Sequence, residues 1–276
     1  MTVLVTGATG SVGRHVVNGL LRCGLPVRAM TRNPGATRLP ESVEVVAGDL
    51  ARPESVGANL SGVDRVYLYP VPDRADEVLD QLRAAGVRRV VLLSSISAAY
   101  AEGDLSGDYH RAVERAVEKS GLDWTFVRPG EFMTNLLPWW APSIAAEGVV
   151  RAPYGSGRSA MIHEADIADV AVTALRDDGH TGRAYPLTGP EALTTAERVA
   201  TIGRVLGRPV RFDELTPSQA RELWISQGMP PEVADWLLQP PGEVQVGPTA
   251  AEVTGRPART FADWVADHRE DFVGAS

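Results

Sequence analysis

Three glycines spaced three apart, Gly7, Gly10 and Gly13, sit inside "TVLVTGATGSVGRHVV", residues 2–17, between a run of β-formers and an apolar-periodic stretch. Few folds have a use for that arrangement. Gly7 stands where the chain must turn sharply out of a strand. Gly10 removes a side chain where backbone must approach a pyrophosphate, and Gly13 lets the next helix pack closely on the sheet. The backbone of Thr9, Ser11 and Val12 completes a cradle whose N–H groups face a diphosphate, with the helix dipole behind them. The spacing is G-x-x-G-x-x-G, not the G-x-G-x-x-G of the other dinucleotide fingerprint. Such a pattern gains meaning only with a strand before it and a helix after it, and both are expected here.

The remaining chain alternates in the same way. Strands are expected over 3–6, 27–30, 43–47, 66–68, 90–94, 124–128 and 184–187. Helices are expected over 11–22, from 53, and over 76–85, 109–119, 167–175 and 194–206. Strands separated by helices imply right-handed crossovers and a parallel sheet, an α/β fold. The continuous apolar run "VVLL" at 90–93 fits a strand buried on both faces. After Gly130 the texture shifts to Pro, Gly and aromatic residues, and five of the six tryptophans follow. A dinucleotide-binding core over 1–130, returning at 164–189, is expected to carry a substrate-covering part built from 131–163 and 190–276.

Charge narrows the ligand. The formal net charge is −8, yet the first 40 residues hold no Asp or Glu and carry Arg14, Arg22, Arg28, Arg32 and Arg38. The acidic balance argues against nucleic acid or an anionic membrane as a partner. The acid-free segment around the glycine loop points to an anionic ligand. An NAD site places Asp or Glu at the end of its second strand, to accept from the ribose hydroxyls. Here that end reads "AMTRNP", with Thr31 and Arg32. A guanidinium suits a 2′-phosphate through forked, charge-assisted hydrogen bonds, so NADP(H) is the expected cofactor. In "AGDL", residues 47–50, Asp49 is placed to accept from an adenine amino group with Leu50 against the ring, or to serve the turn. The single cysteine, Cys23, permits no intrachain disulfide and fits the cytoplasm. A strand expected from Thr2 leaves no room for a secretory leader, and no apolar run approaches the ~20 residues of a membrane span.

Together "VLVTGATGSVGRHVV", "MTRNP", "GDL", "SGLDWTFVRPGEFMTN", "EADIADVA", "YPLTGPEALT" and "TGRPARTFADWVADH" resemble the NmrA-like, atypical short-chain dehydrogenase/reductase proteins. The resemblance covers nearly the whole chain and looks closest to the quinone-oxidoreductase-like branch. It implies a Rossmann, doubly wound parallel sheet with a small C-terminal substrate-covering subdomain, and NADP(H) binding. It also implies that Pro129 to Phe132 wall the nicotinamide. Other members of the family reduce plant phenylpropanoids, and others again sense redox state without demonstrated turnover.

Most catalytic short-chain dehydrogenases use Tyr-x-x-x-Lys, in which Lys lowers the tyrosine pKa and Tyr shuttles the proton. The only lysine here is Lys119, and Arg115 stands four residues before it. The dyad is absent. In "DYHRAVERAV", His110 and Glu114 are four apart and share a helix face, at the edge of the side marked by Val113, Ala116 and Val117. The resemblance places this pair beside the nicotinamide, where His110 would donate a proton with its pKa held near neutrality by Glu114. Ser94 and Ser95 end the strand "VVLLSS" on the cofactor side, to meet a substrate oxygen or the nicotinamide ribose, or to serve turn chemistry. Phe132, Met133, Trp139 and Trp140 are candidates for an apolar roof over a flat substrate. The five histidines are scattered, so no metal is expected. The expected function is NADP(H)-dependent reduction of a small conjugated carbonyl or quinone-like substrate. The alternatives are a non-catalytic NADP(H) sensor acting on a protein partner and a biosynthetic tailoring enzyme. A homodimer is compatible with each.

Overall fold

The computed structural model describes residues 2–239 and 246–274. In chain order the elements are β1 (Thr2–Val5), α1 (Gly13–Arg22), β2 (Val27–Thr31), β3 (Glu44–Ala47), α2 (Pro53–Gly57), β4 (Val63–Leu68), α3 (Ala75–Ala84), β5 (Arg89–Leu93), α4 (Leu105–Lys119) and β6 (Asp123–Pro129). They continue with α5 (Leu137–Glu147), β7 (Val149–Ala152), β8 (Arg158–Ser159), α6 (Glu164–Arg176), β9 (Arg183–Leu187), β10 (Leu193–Thr194), α7 (Thr195–Leu206) and β11 (Arg211–Glu214). The last are α8 (Pro217–Ser226), α9 (Pro231–Leu237), α10 (Ala250–Thr254), α11 (Phe261–Asp267) and α12 (Arg269–Val273).

One unit comprises Met1–Gly130, Glu164–Leu187 and Pro248–Pro257. Its seven strands run in the order β3-β2-β1-β4-β5-β6-β9, and every neighbouring pair is parallel. This is the doubly wound order with β9 added at one edge. The order reverses between β1 and β4, so the carboxyl ends of these two strands flank the switch point where such sheets bind ligands. Leu4, Val66, Leu92 and Phe126 pack on one face with Val56 of α2, Leu79 of α3 and Val117 of α4. Helices α1 and α6 pack together against the sheet in the same unit. Strands covered on both faces need no polar alternation, which is why β5 reads as an apolar run. Each such buried Leu or Val contributes about 1.5–3 kcal/mol.

Of the boundaries that differ from the sequence reading, three have a clear physical basis. Helix α1 starts at Gly13, so Ser11 and Val12 remain in the glycine loop. Helix α4 starts at Leu105, four residues before the expected 109, because the Asp104 carboxylate accepts from the Gly107 N–H at 2.6 Å and caps it. The segment Pro248–Pro257, expected in the substrate-covering part, belongs to the sheet unit. There α10 packs on α6, with Ala250 buried and Arg256 paired to Asp169 at 2.9 Å.

The other unit comprises Glu131–His163, Thr188–Gly247 and Ala258–Ser276. It holds a parallel β7–β11 pair, an antiparallel β8–β10 pair, and helices α5, α7, α8, α9, α11 and α12. Its core gathers Trp140, Ile144, Ile202, Phe261 and Phe272 around the fully buried Trp264. Among the described residues no helix is long and apolar enough to cross a membrane.

Candidate active site

The glycine loop is built from the end of β1. Thr6 is buried, and its hydroxyl donates to the Tyr67 carbonyl at 3.0 Å and accepts from the Tyr69 N–H at 2.7 Å. One side chain thus locks the ends of β1 and β4 together at the switch point. Gly7 follows with φ +59°, left-handed backbone that strains any L side chain. The Gly10 N–H closes the turn on the Gly7 carbonyl at 3.0 Å. A Cβ on Gly13 would lie 2.1 Å from the Gly7 oxygen and 2.8 Å from the Gly7 carbonyl carbon, so α1 starts hard against the loop. No described group accepts from the N–H groups of Thr9, Ser11, Val12 or Gly13. Free N–H groups at a helix start, over glycines that leave no side chain in the way, fit a dinucleotide pyrophosphate.

Arg32 directly follows β2 and is exposed, with no ion pair or hydrogen bond to any described residue. Its fork is available to an anion. Asp49 and Leu50 follow β3. Asp49 serves the turn, since Oδ1 accepts from the Ala51 N–H at 3.0 Å, which leaves its other carboxylate oxygen uncommitted. Leu50 is buried in the core of the sheet unit.

At the ends of β5 and β6 the structure departs from the sequence reading. Glu114 is not at the helix edge but buried. It accepts from both arms of the Arg128 guanidinium, Nε at 2.8 Å and Nη2 at 2.6 Å, and from the Ser94 hydroxyl at 2.5 Å. The sequence alone assigns Arg128 no role. Its one available signal was a charge inside the otherwise apolar strand "TFVRP". The bidentate pair holds the Arg128 guanidinium above its ordinary pKa. The Ser94 hydroxyl donates inward to Glu114. Ser95 caps the next turn: its Oγ accepts from the Ser97 N–H at 3.2 Å and the Ser97 hydroxyl at 2.9 Å, and keeps its own proton to donate.

His110 lies one turn before Glu114 on α4, half-buried. Burial pushes the imidazole below its ordinary pKa, and the charge of Glu114 opposes this without reversing it. Burial, not Glu114, is thus the larger influence on His110. The His110 Nδ1 is buried without a hydrogen-bond partner among the described residues, which leaves Nε2 to exchange a proton. The Tyr109 ring stands edge-on to His110 at 5.2 Å, and its hydroxyl donates to the Pro70 carbonyl at 3.0 Å. Lys119 is exposed at the other end of α4, about 13 Å from His110 along the helix axis. Pro129 is buried as the last residue of β6. No local pattern in the sequence distinguishes Thr6, Tyr69 or Tyr109.

In the second unit Phe132 precedes a short 3-10 turn and forms an isolated bridge with Ile162. Met133 and Trp140 are buried in that unit's core, whereas Trp139 is exposed. Of the four residues expected to roof a substrate, Met133 and Trp140 are therefore core residues.

A family model described as NAD(P)H-binding matches residues 7–178. The chain is 44% identical over 282 residues to a (4-alkanoyl-5-oxo-2,5-dihydrofuran-3-yl)methyl phosphate reductase of Streptomyces griseus, covering 98% of this chain and 99% of that one. It is 38% identical to an NAD(P)H azoreductase of Xenophilus azovorans, covering 99% and 100%. Among solved structures, an NADPH-dependent quinone oxidoreductase of Escherichia coli in complex with NADPH superposes with a TM-score of 0.79 at 25% identity, covering 97% and 100%. A glycine cradle at the switch point of a parallel sheet, and this likeness over the full length, have one reading: the chain belongs to the NAD(P)H-binding family, as an oxidoreductase of the atypical short-chain dehydrogenase/reductase type that takes a nicotinamide dinucleotide and a small-molecule substrate.

Proposed function

We propose that the protein reduces a small, flat, conjugated electrophile with NADPH and that His110 supplies the proton. The observation that carries this is the placement of His110 at the carboxyl edge of the sheet with Nε2 free, while the sole lysine lies at the other end of α4. The named relatives act on an unsaturated lactone, azo compounds and a quinone. All are electron-poor π systems that take two electrons and need no alkoxide stabilised by a Tyr-Lys dyad. NADPH, when bound, supplies the hydride. The loop from Gly7 to Gly13 would hold its pyrophosphate, and Ser95 would donate to a substrate oxygen. His110 would give up the Nε2 proton and recover it from water.

The test is loss of nicotinamide absorbance with NADPH and three acceptors: 1,4-naphthoquinone, an azo dye and an unsaturated lactone. Oxidation with at least one supports the reading. Tight NADPH binding without turnover of any would instead favour a sensor whose cofactor occupancy controls a protein partner. Light scattering with and without NADPH checks for a homodimer. We place the protein in the cytoplasm, on its single cysteine and its reduced cofactor.

Two further outcomes are expected. Arg32→Ala should weaken NADPH binding roughly 10- to 100-fold, the worth of charge-assisted hydrogen bonds to a phosphate, and leave NADH binding unchanged. Equal wild-type affinities for the two cofactors would refute the role of Arg32. The second outcome concerns pH. Because the folded-state pKa of His110 is lowered, the unfolded chain takes up its proton first as pH falls. This group's contribution to stability is therefore full above about pH 6.5 and is lost below it. The charged imidazole is the proton donor, so kcat/KM should rise as pH falls, with its midpoint below about 6.5. His110→Gln should flatten that profile.

A further inference from the structure

Tyr69 is an aromatic residue held rigidly yet left open. Its N–H is fixed by the Thr6 hydroxyl at 2.7 Å, and Thr6 is itself anchored on the Tyr67 carbonyl. Its ring lies over the first glycine of the loop: a Cβ on Gly7 would sit 3.3 Å from Tyr69 Cβ and 3.4 Å from Cδ2. The residue is nevertheless 49% exposed, and its hydroxyl has no partner among the described residues. The next residue, Pro70, accepts from the Tyr109 hydroxyl, and Tyr109 adjoins His110 edge-on. One chain of contacts thus runs from the glycine loop through Tyr69, Pro70 and Tyr109 to the proposed proton donor, all within the sheet unit. Tyr109 is also partly exposed, at 42%. Two exposed aromatic rings joined through Pro70 beside the glycine loop offer a face to a flat ligand, and aromatic faces favour offset-stacked π systems.

We infer that Tyr69 is a specificity-determining residue, whose ring and free hydroxyl receive the flat face and an oxygen of an aromatic acceptor beside the glycine loop. This rests on the reductase reading above and deepens it: among conjugated electrophiles the site would prefer fused or aryl-conjugated ones over isolated enones. The Pro70–Tyr109 contact holds that platform at a constant distance from His110. The preference would survive loss of the hydroxyl and would be lost with the ring.

The experiment measures binding and turnover separately. Dissociation constants of 1,4-naphthoquinone are taken on the unreactive NADP⁺-loaded protein, and KM and kcat for naphthoquinone and 2-cyclohexenone are taken with NADPH. Tyr69→Leu should weaken naphthoquinone binding about tenfold and raise its KM alike, the loss of one stacked ring, with NADPH affinity and the cyclohexenone KM within about threefold. Tyr69→Phe, which keeps the ring and is the safeguard if the leucine variant folds poorly, should stay within about threefold in naphthoquinone binding. Equal losses for both acceptors, a loss confined to NADPH affinity, or a phenylalanine variant as weak as the leucine one would each overturn the assignment. Wild-type protein that binds naphthoquinone through Tyr69 but turns over neither acceptor would overturn the reductase reading and leave the aromatic platform standing.

Discussion

Gly13→Ala is expected to raise the NADPH dissociation constant about 100-fold or more and to lower stability by roughly 1–3 kcal/mol, the usual cost of overpacking. The added Cβ would lie 2.1 Å from the Gly7 oxygen, a backbone atom that no rotamer change can move aside. Either α1 slides away from the loop or the loop opens, and both spread the N–H groups that face the pyrophosphate. Gly10→Ala provides the control. Its Cβ would meet the Gly7 oxygen at 3.2 Å, a contact the loop can relieve by a small shift. That variant should unfold within a few degrees of wild type, about 1 kcal/mol, yet still bind NADPH poorly, because the methyl group stands where the diphosphate approaches. Titration of NADPH fluorescence with thermal melting of the free protein separates the two effects. A Gly13→Ala protein with wild-type melting and affinity would contradict the packing described for α1.

Glu114→Gln is expected to destabilise the protein by about 3 kcal/mol, the low end for removing one partner of a buried ion pair, because the Arg128 side chain keeps 25% exposure. For a chain of this size that is a fall in Tm of the order of 10 °C. The reason is asymmetric. The amide still accepts from Ser94 or one arm of Arg128, but the guanidinium loses its counter-charge in a site where Glu114 is only 4% exposed. Arg128→Met with Glu114→Gln should recover much of the loss, because the uncompensated charge goes with the arginine. If Glu114 instead acted directly in proton transfer, the double variant would regain stability but lose the pH dependence of kcat/KM proposed for His110. On the geometry, the double variant keeps that dependence. Calorimetry and a pH profile on the same three proteins distinguish these outcomes.

The two predictions differ in how visible they were in the residues. The strand, loop and helix around Gly7, Gly10 and Gly13 are neighbours in sequence, and the turn itself closes between residues three to six apart. The absence of acid before Glu41 was equally plain, and it left Arg32 alone at the end of β2. Glu114 was different. Its partners come from β5 and β6, 20 and 14 residues away, so helical spacing alone could link it only to His110. The same holds for β7 and β11, where Val149 pairs with Arg211 across 62 residues, and for α10, which crosses back onto α6. Tyr69 carried no local signal at all. Its meaning arises from Thr6 of the β1 loop and Tyr109 of α4, brought together only by closure of the sheet.

By itself, then, the sequence determined an α/β chain with a dinucleotide loop at its start and no Tyr-Lys dyad, because turn chemistry, residue period and the presence or absence of a residue type are local or countable. Only the tertiary structure decided that Glu114 is buried and takes both Arg128 and the Ser94 hydroxyl, that His110 is desolvated with one nitrogen free, and that Tyr69 is held over Gly7. Burial and hydrogen-bond partnership depend on which strand ends meet at the switch point, and no stretch of residues contains that information alone.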